Sequence, residues 1–186
     1  MAIGLFFGIP MGFATGGIKV LDRIFGPYLW TLYSLPRIIL IPIIFLWVGI
    51  NNNARLAIVI ISVIPQVAVV VMDGVKTTSY HLVQVGRAFG ANRWQLLTNI
   101  MLPSSIPFIG TGIRLGLLRG LIGLFVGEMF ITSDGIGWII GYARSKFDMD
   151  RVFAVLLIFI GFSVACLALT RFLENRMSLW QTPVEL

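Results

Sequence analysis

The sequence predicts an all-α, polytopic membrane helix bundle with about five transmembrane helices and a polar helical hairpin on one side of the membrane. Three observations carry this. Only 12% of the 186 residues are charged and 58% are hydrophobic, against roughly 25% charged in a soluble domain. The apolar residues fall in long uncharged runs separated by short basic stretches. One stretch alone, YHLVQVGRAFGANRWQLLTNIMLP, is polar and basic yet keeps a helical pattern. No linker, low-complexity tract or charge block divides the chain, so residues 1–186 form a single domain, with the hairpin loop at about 76–105.

Taken in order, apolar spans are expected at 2–15, 35–50, 55–72, 106–131 and 152–173. A spanning helix needs ~20 apolar residues; the last three meet this, and the first is short. The second is interrupted by Pro36 and Pro42, and PYLWTLYSLP before it is apolar and aromatic enough for a start near Pro27. The first span carries Gly4, Gly8, Gly12 and Gly16 at four-residue spacing. The fourth carries Gly112, Gly116 and Gly120, then Gly123 and Gly127. Such stripes let helix backbones approach closely, either within one bundle or at a subunit or sliding interface.

Charge sets the orientation. Lys19, Arg23, Arg37, Lys76, Arg87, Arg93, Arg171 and Arg176 fall on one side of these spans; Arg55, Arg144, Lys146 and Arg151 fall on the other. The positive-inside rule puts the first set in the cytoplasm, the N-terminus outside and the C-terminus inside. The same distribution explains the net charge of +6 without a nucleic-acid partner, and the partner expected along the spans is membrane lipid.

Within the hairpin, Leu82, Val85, Gly86 and Phe89 recur at the spacing of one helix face. Gly90 suits the turn past a helix end. Asn92 with Gln95 three residues on approaches a capping box for a second helix. That helix carries Trp94, Leu97 and Met101 along one side, and Pro103 is expected to end it.

The chain lacks the residues of several other chemistries. DGVKTT has neither the second glycine nor the spacing of a phosphate-cradling loop. His81 is the single histidine and Cys166 the single cysteine, so no metal set, catalytic triad or disulfide is expected. Arg119 lies about 20 Å into the fourth span, at mid-membrane depth. An ionised group there is either a pathway residue or half of a structural pair. Arg114 is nearer the cytoplasm and can snorkel. Glu128 near the outer end, and Trp138 in SDGIGWIIGYARSKFDMDR beyond it, are candidates for gating or packing.

Gly90, nine residues, Ile100, one residue, then Leu102 and Pro103 resembles the cytoplasmic "EAA" loop in the membrane subunits of bacterial ABC importers. LPRIILIPIIFLWVGI, IPFIGTGIRLGLLRGLIGLFVGE and GIGWIIGYARSKFDMDRVFAVLLI are similar to the branch importing nitrate, taurine and aliphatic sulfonates, so the likeness covers essentially the whole chain.

The resemblance implies a permease in the bacterial inner membrane that forms the translocation path for a small anionic solute. In such systems the loop is a coupling helix seated in a groove of a separate ATPase subunit. It would here comprise Gln84, Val85, Gly86, Arg87, Phe89, Gly90, Ala91 and Asn92. This chain would hold no cofactor; ATP and Mg would bind the partner. A second permease copy, identical or a sister subunit, and an extracytoplasmic substrate-binding protein would complete the assembly. Glu128 matches a glutamate common in the family. The Glu-Ala-Ala positions are Gln84, Val85 and Gly86, so the small residue is kept and the acid is gone. Most relatives carry one more N-terminal span, which predicts a reduced version, a late start or a fragment. A secondary transporter, a membrane scaffold or an intramembrane enzyme are the rival classes. Neither the inverted repeats with paired acids of the first nor the clustered polar groups of the last are visible in the sequence.

Overall fold

A computed structural model describes residues 1–78, 80–131 and 134–177. They are helical nearly throughout: α1 (Ala2–Gly17), α2 (Lys19–Ser34), a 3-10 turn (Arg37–Ile39), α3 (Leu40–Val48), α4 (Asn52–Lys76), α5 (Tyr80–Ala88), α6 (Arg93–Leu96), a π segment (Leu97–Met101), α7 (Leu102–Ile131), α8 (Ile136–Ser145) and α9 (Met149–Met177).

The centre is α4. Val59, Val63, Val67, Val71 and Val75 recur every four residues and form a buried column along it. Glycines flank this column on two sides. On α1, a Cβ added at Gly4 would meet Val63, one at Gly8 would meet Val67, and one at Gly12 would collide with the Ala68 backbone. On α7, Gly116 faces Val67 and Val63, and Gly120 faces Val63. The glycine stripes therefore pack within one chain, letting two backbones close on the same β-branched side chains. Contacts that rise together make α1 parallel to α4, while those of α7 run opposite. α9 lies antiparallel to α7, held by the Phe125 and Phe159 rings 4.8 Å apart and by Arg114 pairing with Glu174 at 3.3 Å.

By length and apolarity three helical stretches can cross a membrane: Asn52–Lys76, Arg93–Phe130 and Met149–Phe172. The expected five counted 2–15 and 35–50 as spans. α1, at 16 residues, is about 24 Å long, and the stretch 35–50 is not one helix. Leu35 is extended, as the residue before a proline tends to be, and the nine residues of α3 cover only about 13 Å.

The return path from α1 to α4 instead uses α2 and α3 together. Asp22 meets Lys76 at 2.6 Å, Leu29 packs with Ala68, Val69 and Met72, and Ile41 and Ile44 pack with Ala54 and Ile58. Residues 19–48 thus retrace α4 in the opposite direction, broken at 35–39, which puts Arg37 in the break along the return path and not on the side of Lys19, Arg23 and Lys76 where the charge count set it. Asn51 closes the far corner: its side chain accepts from the Ala54 N–H at 3.0 Å and donates to the Val48 carbonyl at 2.9 Å.

Pro103 does not end a helix. Arg93 to Phe130 is one continuous helix of 38 residues. Proline cannot donate to the carbonyl four back, and its ring crowds that turn. The backbone widens just before it: Leu102 N–H donates to Leu97 O, five residues back, a π-type bond. Ser104 Oγ then satisfies the Ile100 carbonyl at 2.7 Å.

Candidate functional site

Three sites hold the residues singled out by the sequence. The first is the hairpin of α5 and α6. Gly90 has φ +79, a left-handed turn that favours glycine. Asn92 Oδ1 accepts from the Gln95 N–H at 2.9 Å and Gln95 Oε1 accepts from the Asn92 N–H at 2.8 Å, completing the capping box. Leu82 and Val85 stand exposed on α5 and Phe89 just past its end, Phe89 at 88%, with Trp94 exposed on α6. Gln84, Arg87 and Asn92 are exposed beside them, and Ala91 is half-buried.

Gly86 differs from its assigned face. A Cβ there would meet Ile100 Cδ1 at 2.5 Å and Leu96 Cδ2 at 2.8 Å, so this glycine closes the hairpin on itself rather than lying on the outer stripe. Leu97 and Met101 likewise turn inward: Leu97 lies against Gly17 and Met101 against the valine column. Of the side chains expected along that helix face, Trp94 alone is exposed outward.

The second site is a cavity of about 380 Å³ at the break between α2 and α3. Tyr33, Ser34, Leu35 and Pro36 bound it on one side, Ile58 and Ser62 of α4 on another, and Arg119, Ile122 and Val126 of α7 on the third. The Arg119 Nε–H donates to Gln66 Oε1 at 3.1 Å. Among the described residues no carboxylate lies within ion-pair distance of Arg119. Gln66 lies about 21 Å along a helix of about 37 Å, which places the guanidinium near mid-height. Arg114, one turn nearer the hairpin, does have an acidic partner in Glu174, whose other oxygen accepts from Thr111 Oγ1 at 2.8 Å. Sequence reasoning missed Ser62 and Gln66. Their signal was present: two polar residues four apart in the otherwise apolar ISVIPQVAVVV.

The third site joins α7 to α8. Glu128 is buried, 8% exposed. Its Oε2 accepts from the Gly137 N–H at 3.1 Å, a free donor in the first turn of α8. Arg55 of α4 approaches the other oxygen at 3.8 Å and pairs with Asp134 at 2.8 Å. The carboxylate fits only because Gly135, at φ +101, and Gly137 have no side chains; an added Cβ at either would collide with Glu128. Trp138 is half-buried and stacks on Tyr142 at 5.2 Å, with Lys146 over the Tyr142 ring. A hydrogen bond from Lys146, and then its charge, hold the Tyr142 phenol below its ordinary value. Among the described residues no cluster of His, Cys, Asp and Glu has the form of a metal site.

Comparison with known proteins shows the family of the chain as a whole. The family described as "Binding-protein-dependent transport system inner membrane component" matches residues 4–179. The chain is 26% identical to the taurine transport system permease protein of Escherichia coli over 96% of its own length and 65% of that protein's. It is 28% identical to the putative aliphatic sulfonates transport permease protein of Bacillus subtilis, over 98% of its length and 65% of that protein's. To the formylaminopyrimidine transport permease protein of Halalkalibacterium halodurans it is 26% identical, over 97% and 72%. The chain thus spans just under two thirds of the length of the first two.

Proposed function

The chain belongs to the family of binding-protein-dependent transport system inner membrane components, and from that premise we propose that it is the membrane-spanning permease subunit of an ATP-driven ABC importer. Two copies, or one with a sister subunit, form the translocation path, and an extracytoplasmic binding protein delivers the solute. The N-terminus lies outside, with the hairpin and the C-terminus in the cytoplasm. ATP and Mg are bound, and ATP is hydrolysed, by a separate subunit. The relatives named for taurine and aliphatic sulfonates, together with Arg119, support a small anionic solute.

One observation carries the coupling role. Leu82, Val85 and Phe89 form an exposed apolar stripe on a short helix that is closed against the end of a 38-residue helix. Docking of such a stripe in a partner's groove removes it from water. Because the hairpin is fixed by its capping box and by Gly86, movement of the partner passes to α7 rather than being absorbed in a loop.

The test is affinity purification of the chain in mild detergent with mass spectrometry of its companions. An ATP-binding subunit is expected with the wild type and is lost in Phe89→Asp and in Gly90→Pro, which cannot adopt φ +79. A folded wild-type chain that reproducibly brings no ATPase overturns the reading.

A further inference from the structure

We propose that the cavity at the α2–α3 break is a binding site for a small organic anion, its headgroup on Arg119 and its apolar body against Ile38, Ile41, Ile58, Ile122 and Val126. The proposal rests on the permease reading and adds a solute site within the permease itself.

Three features converge. The first is the break. Irregular backbone at membrane depth is tolerated where it lines a cavity or is buried in protein, and 35–39 lines this one near the mid-height of α4. The second is charge. A guanidinium this deep is costly unless compensated. Gln66 takes the Nε–H, which fixes the plane of the group but supplies no negative charge. The remaining N–H donors form the fork that binds an oxyanion by two parallel hydrogen bonds, and no described carboxylate occupies them. Tyr33, Ser34 and Ser62 are the other polar residues of the lining.

The third is size and lining. About 380 Å³ falls within the range of sites for small organic ligands. A bare inorganic oxyanion, only a few times the ~30 Å³ of a water molecule, leaves most of it unfilled. The isoleucines and Val126 give an apolar wall with no use for an inorganic ion, whereas a short hydrocarbon chain gains by covering it.

An anionic lipid entering from the bilayer presents the same headgroup chemistry, so the experiment separates the two sources. The purified chain, with whatever ATPase accompanies it, is placed in nanodiscs of phosphatidylcholine without binding protein, and binding of radiolabelled propane-1-sulfonate is measured. Saturable binding is expected, at least ten-fold weaker in Arg119→Gln and only partly restored in Arg119→Lys, which keeps the charge but not the fork. Ile122→Trp, at an exposed position that tolerates a larger side chain, fills the apolar part and weakens propane-1-sulfonate at least ten-fold. Nitrate competes at least ten-fold less well than unlabelled propane-1-sulfonate.

Absence of saturable binding by folded wild-type chain, equal binding by Arg119→Gln, or equal competition by nitrate overturns the proposal. So does loss of binding when phosphatidylglycerol is added to the disc, which assigns the cavity to lipid. A chain that binds propane-1-sulfonate but brings no ATPase overturns the permease reading and keeps the site; an assembled complex that does not bind overturns the site alone.

Discussion

Single residues in this protein matter by what they leave out as much as by what they supply. Gly12 omits a side chain where a Cβ would strike the Ala68 backbone, and backbone cannot yield as a side-chain tip can. Gly12→Val is therefore expected to destabilise the chain by about 1–3 kcal/mol, lowering its thermal midpoint in detergent by several degrees. Gly161→Ala on α9, where nothing lies within 4 Å, is the matched control and is expected to cost nothing. Glu128 works the other way, by reaching across to a donor that α8 cannot satisfy alone. Glutamine can still accept from Gly137; alanine cannot. In nanodiscs, trypsin should therefore cut at Arg144 and Lys146 about ten-fold faster in Glu128→Ala, the equivalent of a ~1–3 kcal/mol lost bond, while Glu128→Gln stays near wild type. Equal rates in all three would mean that α8 is held by something else. The glycine spacing and the candidacy of Glu128 were legible in the sequence. Their partners Ala68 and Gly137 were not, because nothing local encodes a pairing between helices.

At the scale of elements, legibility tracks how local the signal is. The hairpin was readable because Gly90 and the Asn92–Gln95 pair act within a few residues. Asn92→Ala removes the acceptor of the Gln95 N–H, leaving only the backbone half of the box, and should weaken that first turn by about 1 kcal/mol, seen as about five-fold faster amide hydrogen exchange over residues 93–96. Unchanged exchange would mean the turn is held by its docking on α5 instead. The return path over 19–48 was misread, since Lys19, Asp22 and Arg23 interrupt the apolar pattern at the start of α2. Asp22 pairs with Lys76, a long-range partner that nothing local in the sequence announces. Pro103 was misread for a related reason: whether proline stops a helix or is absorbed depends on what the neighbouring turn can do. Gly86 was placed on the outer stripe because helical periodicity alone does not say which of two adjacent faces meets a neighbour.

For the whole molecule, the parallel run of α1, α4 and α9 against α7 makes the orientation a single choice, and that choice is testable with cysteine labels in a Cys166→Ala background. In intact cells a membrane-impermeant thiol reagent should label Phe147→Cys, exposed between α8 and α9. Ala88→Cys in the hairpin should react only after permeabilisation. The opposite pattern would invert the topology and move the hairpin away from any cytoplasmic ATPase. The unbroken helix from Arg93 to Phe130 has a further mechanical consequence. It is a lever arm with the hairpin at its handle, and Arg119 lies about 39 Å from that end at 1.5 Å per residue. A tilt of only about 5° at the handle, over that length, sweeps the guanidinium through about 3 Å. That matches the span of its hydrogen bond to Gln66 at 3.1 Å, so a small angular stroke at the hairpin would be geared up into the making or breaking of one contact midway along the bundle.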